Sequence, residues 1–197
     1  MDSQTLGIIQ ESDINALEVR LALQCAPFIA GLKPSNLFIS GGDDLGKAVG
    51  IFEYAGFSYF ILLKTNSKIV FLIYDPKRLE ECVLERSAAA LLRKTGYYAL
   101  ELGELLKNCR LRYRQYASEG REFPHELGIF LGYPVEDVEG FIKNSGKNCL
   151  YAGYWKVYAD LPKKLSVFKN YDSARLSLLK MLSVGKNIRD IVGHGCV

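Results

Sequence analysis

Two runs near the middle of the chain, Phe57 to Lys64 and Lys68 to Tyr74, leave little choice of architecture. Both are rich in Phe, Tyr, Ile, Leu and Val, and the polar stretch Thr65-Asn66-Ser67 joins them. That is the pattern of a β-hairpin. A strand with one wet face alternates apolar and polar residues, whereas these are apolar at nearly every position. The hairpin is therefore central, with both of its faces covered by the rest of the chain.

The flanking segments supply helices. Ser12 or Asp13 caps a helix running to about Gln24, with Ile14, Leu17 and Leu21 on its inner face. Cys25-Ala-Pro-Phe interrupts it, Gly31 to Pro34 turns, and Asn36-Leu-Phe-Ile-Ser reads as a short strand. After Gly41-Gly42-Asp43-Asp44, the residues Leu45, Ala48, Val49 and Phe52 share a helical face, and Gly56 closes that helix. Asp75-Pro76 starts a helix to about Lys94, and a second spans about Tyr98 to Ser118. Cys149 to Tyr158 reads as a strand, and Asp160 caps a helix toward Met181. Strands and helices do not alternate strictly, and one strand pair is a hairpin. The expected fold is therefore α+β. It is a single domain over residues 1–197, with a small mixed sheet built around the 57–74 hairpin and the 149–158 strand, covered by helices. Residues 1–11 and 193–197 are expected to be flexible ends.

Composition sets the setting. A chain of 197 residues with 49% hydrophobic content is ample for one core. The net charge of +3 is too mild to argue for nucleic acid. No apolar run approaches the length of a membrane span. The start, MDSQTLGIIQESD, carries acids and no basic region, unlike a secretory signal. Cys25, Cys82, Cys109, Cys149 and Cys196 are odd in number and widely spaced, which points to reduced thiols and a cytoplasmic location. None has C-x-x-C spacing, so a structural zinc site is not expected.

The densest motif runs from Phe123 to Ile142, FPHELGIFLGYPVEDVEGFI. It reads as two short helices around a Gly132-Tyr-Pro134 corner. Leu127, Phe130 and Leu131 share one face, and Val138, Phe141 and Ile142 share the other helix's buried face. With the YWKVY of residues 154–158, and with CAPFIAGLKPSNLF at residues 25–38, this pattern resembles a family from clostridia and related Firmicutes described only as a domain of unknown function. The resemblance spans roughly residues 20–185 and implies a bacterial, cytoplasmic, single-domain protein. It brings no activity or catalytic residue with it. It also suggests an association with iron acquisition, which keeps a metal- or haem-related protein among the alternatives. The chain departs from the family pattern at Asn170, where a cysteine is expected before a tyrosine such as Tyr171.

Several residues could carry chemistry. Cys25 and His125 are the candidate catalytic pair, since an imidazole activates a thiol by lowering its pKa. Against this, thiols are commonly buried as small hydrophobes. A metal site from His125, Glu126 and a cysteine is disfavoured, because neighbours on a helix diverge by about 100°. His194 and Cys196 could add ligands only from a glycine-rich end. Glu136 and Asp137 could be an acid–base pair, but acids at a helix start are ordinary partners of its dipole. Arg110, Arg112 and Arg114 read as a solvated helix face rather than a nucleic-acid contact. The glycines of GGDDLG fit neither a phosphate-binding nor a dinucleotide fingerprint.

On a strand, Tyr154, Lys156 and Tyr158 share one face, and Trp155 and Val157 the other. The leading reading is a non-catalytic protein that binds a small anionic ligand or a protein partner. Its site gathers Lys33, His125, Glu126, Tyr133, Tyr154, Lys156 and Tyr158, with the lysines on the anion and the aromatics stacked on the ligand. The cofactor, if any, is left open. The alternatives are a thiol-dependent enzyme using Cys25 and His125, and the metal- or haem-related protein.

Overall fold

The computed structural model describes residues 16–99 and 101–193. Strand β3 (Lys68–Tyr74) lies between β1 (Ser35–Gly41) and β2 (Ser58–Lys64), and pairs antiparallel with both. From Ile69 to Ile73 every β3 side chain is buried. Strand side chains alternate between faces, so Ile69, Phe71 and Ile73 enter one apolar layer while Val70 and Leu72 enter another. In β2 the register shifts between Ile61 and Leu63. This bulge lets the neighbours Leu62 and Leu63 both join the second layer.

The first layer is closed by α1 (Ala16–Ile29), α2 (Leu45–Ala55), the second half of α8 (Leu161–Ser183) and α9 (Ile188–Gly193). Phe52 of α2 meets Phe38 and Phe71 edge-on, with ring centres 5.9 and 5.2 Å apart. The second layer is closed by α3 (Pro76–Leu84), α4 (Arg86–Lys94), α5 (Leu102–Glu119), and the corner made of α6 (Leu127–Phe130) and α7 (Val135–Lys143). A two-stranded ribbon, β4 (Tyr151–Ala152) with β5 (Lys156–Val157), stands apart and packs on the first half of α8. The class is α+β, as expected, in one domain.

Some details depart from expectation, each for a physical reason. The three-stranded sheet is wholly antiparallel rather than mixed. The 149–158 segment does not join it, because both edges are occupied. Along β1 the Gln24 side chain accepts from the Ile39 N–H at 2.9 Å and donates to its carbonyl at 3.1 Å, taking the place of a neighbouring strand. Along β2 lies α5. The segment instead folds back on itself through Gly153 and Tyr154, with Gly153 N–H donating to the Trp155 carbonyl. Helix α1 also runs through Cys25 and Pro27 to Ile29. Pro27 forgoes the bond to the Leu23 carbonyl that an N–H there would make, and burial of Ala22, Cys25, Ala26 and Ile29 favours continuation despite that loss. The helix expected over 75–94 divides at Glu85, whose carboxylate accepts from Ser87 N–H and Ala88 N–H and caps α4. The proposed cap at Ser12 or Asp13 and the expected flexible end 1–11 lie outside the described residues; of the expected flexible end 193–197, Gly193 is the last residue of α9 and 194–197 lie outside them.

The corner is docked onto β1. Ser35 Oγ donates to the Phe130 carbonyl at 2.5 Å. Gly132 has φ +70, and a Cβ there would stand 2.5 Å from Pro34 Cδ. Gly132→Ala should cost about 2–4 kcal/mol, from the left-handed backbone and the forced contact together. Urea unfolding checks this, and a loss under about 0.5 kcal/mol would refute the docking argument.

Candidate functional site

The α6–α7 corner and the β4–β5 ribbon face each other across a cavity of about 390 Å³. Its floor is buried and largely aliphatic, with Leu127, Leu131 and Val138 beside Trp155. Its rim is part-exposed and holds His125, Phe141, Ala152 and Lys156. The His125 ring lies 4.7 Å from that of Phe141, and Lys156 Nζ lies 5.5 Å from the same ring. Two nitrogen bases thus flank one apolar ring at the mouth. Lys156 Nζ donates to the Gly146 carbonyl at 2.6 Å, and an ammonium has two further donors to offer. His125 Nε2 lies 3.5 Å from the exposed Glu122 carboxylate.

Asp137 holds the two walls together. It is 2% exposed and sits in the first turn of α7. Its Oδ2 accepts from Trp155 Nε1 at 2.7 Å, and its Oδ1 from the Tyr158 and Ala159 N–H groups at 2.7 and 3.2 Å. Lys164 Nζ of α8 lies 3.9 Å away and donates to Glu136 Oε1. A buried carboxylate is tolerable only with partners of this kind. The sequence reading treated Asp137 as a dipole partner of its helix, and its role as a junction rests on groups that arrive from elsewhere in the chain.

Three of the predicted ligand residues line the cavity: His125, Tyr133 and Lys156. Four do not. Glu126 is buried and accepts from Tyr97 Oη at 3.1 Å and Arg112 Nε at 2.5 Å, so it anchors the start of the corner to α5. Tyr154 donates to Asp172 Oδ1 and lies under the Arg175 guanidinium. Tyr158 packs its ring against Gly140, where a Cβ would stand 2.5 Å away. Lys33 is 4% exposed, donates to Asn36 Oδ1 at 2.7 Å, and lies over the Tyr133 ring at 5.1 Å. Burial pushes its amine down to about 8, opposed by the nearby Cys25.

Cys25 and His125 are not brought together. Cys25 is fully buried in the first layer, where its thiol donates to the Leu37 carbonyl at 3.4 Å. His125 lies across the sheet, at the cavity above the second layer. Burial pushes the Cys25 thiol up to about 12, which is the reverse of activation. Among the described residues no cluster of three or more His, Cys, Asp or Glu is arranged to hold a metal ion. His194 and Cys196 lie outside the described residues. Two of the three arginines of α5 have structural partners, Arg110 over the Phe60 ring and Arg112 on Glu126. No helix among the described residues is long and apolar enough to cross a membrane.

The profile of the family described as Protein of unknown function (DUF3793) matches residues 21–192. The chain belongs to that family. No curated protein and no solved structure matches it. For this DUF3793 member the corner motif noticed in the sequence forms one wall of the cavity, and the YWKVY segment forms part of the other.

Two outcomes follow from this geometry. Asp137→Asn turns one acceptor into a donor that faces other donors, and removes the charge beside Lys164. It should destabilise the fold by about 3 kcal/mol. Unfolding followed by the fluorescence of Trp155, the one tryptophan in the chain, checks this, and an unchanged midpoint would refute the junction. Cys109, like Cys25, is buried with its thiol pushed up to about 12. At pH 8 a maleimide should therefore modify the half-exposed Cys82 and Cys149 well before Cys25 or Cys109. Early labelling of Cys25, mapped by peptide mass, would restore the thiol-enzyme reading.

Proposed function

We propose that this protein is a non-catalytic binder of a small anionic ligand, held between the α6–α7 corner and the β4–β5 ribbon. One observation carries the reading: a cavity of about 390 Å³ with an apolar floor and two nitrogen bases at its rim. That combination of a mostly apolar concavity and a few convergent polar groups is what small-molecule sites have in common. The ligand's apolar body takes the floor, and its negative group takes the rim between His125 and Lys156. Tyr133 contributes wall. Lys33 is assigned to holding the Tyr133 ring rather than to the ligand. Free thiols at Cys25, Cys82, Cys109 and Cys149 accord with a reducing, cytoplasmic setting, and the resemblance of the motifs accords with a bacterium of the Firmicute type.

Native mass spectrometry of the purified chain, compared with its denatured mass, tests the reading. The native protein should carry an added species that is lost on denaturation. Ala152→Trp, which fills the mouth from an exposed rim position, should carry none, with stability changed by no more than about 0.5 kcal/mol. Lys156→Met should bind the released species about ten-fold more weakly when it is titrated back, the worth of one hydrogen bond to a charged group. Full occupancy in the Ala152→Trp protein would place the ligand elsewhere, and an unchanged affinity in the Lys156→Met protein would remove the anionic group from the reading.

A further inference from the structure

Each aromatic residue that lines the cavity has a ring or an ammonium packed against it, Phe123 included, which meets the Tyr116 ring at 5.1 Å and the His125 ring at 5.6 Å. Tyr133 and Trp155 stack on one another, with ring centres 5.1 Å apart and planes at 29°. Lys33 Nζ covers the Tyr133 ring. Phe168 meets Trp155 edge-on at 4.6 Å. Phe141 has His125 and Lys156 against it. A flat ring binds well when it slots against an open aromatic face, and these contacts already draw on those faces, while branched aliphatic side chains line the floor. Leu37, Leu127, Leu131 and Val138 supply the latter.

From this we infer that the ligand is a free medium-chain monocarboxylate, an unbranched alkyl chain with one terminal carboxylate. This rests on the binding reading above and narrows its chemistry. The alkyl chain can bend to follow an irregular aliphatic floor, which a rigid ring system cannot. Size agrees: if a methylene takes about the 30 Å³ of a liquid water, a cavity of about 390 Å³ accommodates on the order of a dozen carbons.

The head group is single and compact. The rim offers one ammonium and one imidazole, and among the described residues no arginine lines the cavity. Planar, bidentate recognition of phosphates is typically arginine's work, so a nucleotide or a polyphosphate finds no fork here. Asp137 also lines the cavity, but its two oxygens are taken up by Trp155 Nε1, Tyr158 N–H and Ala159 N–H, with Lys164 behind them. Its charge is thus countered at the floor, away from the carboxylate at the rim. Glu122, beside His125, is exposed and free to swing into water.

Calorimetric titration of the full chain with octanoate, decanoate, dodecanoate, 2-naphthoate and decanol tests the inference, with Trp155 fluorescence as a second readout. Affinity should rise about four-fold per added methylene until the floor is full, and then level off. Decanoate should bind at least ten-fold more tightly than 2-naphthoate or decanol. If 2-naphthoate matches decanoate, or affinity is flat from octanoate to dodecanoate, the aliphatic class is overturned and the anion-binding cavity stands. If decanol matches decanoate, the anionic head is overturned, and with it the proposed function. If no probe binds, both fall. Leu37→Phe, at a half-buried position on an edge strand, should bring the levelling-off to a shorter chain. An unmoved plateau in a folded variant would overturn the assignment of the floor.

Discussion

The side chains of β3 leave the strand in opposite directions, and neither direction reaches water. Ile69, Phe71 and Ile73 need one apolar layer, and Val70 and Leu72 need another. A sheet of three short strands cannot provide both from its own surface, so helices must come from both sides. The order of the chain then decides which. Helices α1 and α2 flank β1 in sequence and cover the first face, while α3 to α7 follow β3 and cover the second. Edge protection follows from the same economy of strands. Gln24 on α1 answers the outward N–H and carbonyl of Ile39, which leaves β1 less open to pairing with another chain.

The second face is finished by a corner that is too short to hold itself. Helix α6 is a single turn, and α7 only nine residues, lengths at which isolated helices are unstable. Three anchors fix it. Glu126 binds Arg112 and Tyr97 at its start, Ser35 and Pro34 meet its first helix and the bend after it, and Asp137 binds the ribbon from the first turn of α7. Buried ionic contacts add little net stability over well-packed apolar groups, yet losing one partner is costly. Their use here is positional. They set the distance between corner and ribbon, and that distance is the width of the cavity.

How much of this was legible in the sequence depends on how far each residue's partners lie along the chain. The two-faced hairpin was readable because strand periodicity is local, and so were the corner glycine and its prolines. His125, Tyr133 and Lys156 were reached by combining a dense motif with strand alternation. Asp137 was undervalued, because a helix-start acid has an adequate local explanation. Only when Trp155 and the Tyr158 N–H arrive from the ribbon does that explanation become insufficient. Lys164 was unreadable for the same reason, since a lysine in the first turn after a proline looks like surface. The independent 149–158 ribbon was missed because the sequence does not say that Gln24 and α5 already occupy the sheet edges. The Cys25–His125 pair came from two motifs that are both prominent, but prominence carries no information about which face of a sheet each one reaches.

A cleft with an aliphatic floor is a weak point in an otherwise filled second layer. Leu131 and Val138 complete their burial only partly through neighbours within the layer, and the remainder faces the cavity. The walls cannot close on it, because Glu126 holds the start of the corner, Asp137 holds the first turn of α7, and the Tyr133–Trp155 stack props the ribbon. An occupant would supply the missing apolar contact without moving either anchor. By mass action, a ligand present at a hundred times its dissociation constant would stabilise the folded chain by about 2.7 kcal/mol. That is comparable to the loss of one buried partner of Asp137. The junction that keeps the cavity open and a molecule that filled it would therefore act on the same part of the fold, the first by fixing its geometry and the second by completing its packing.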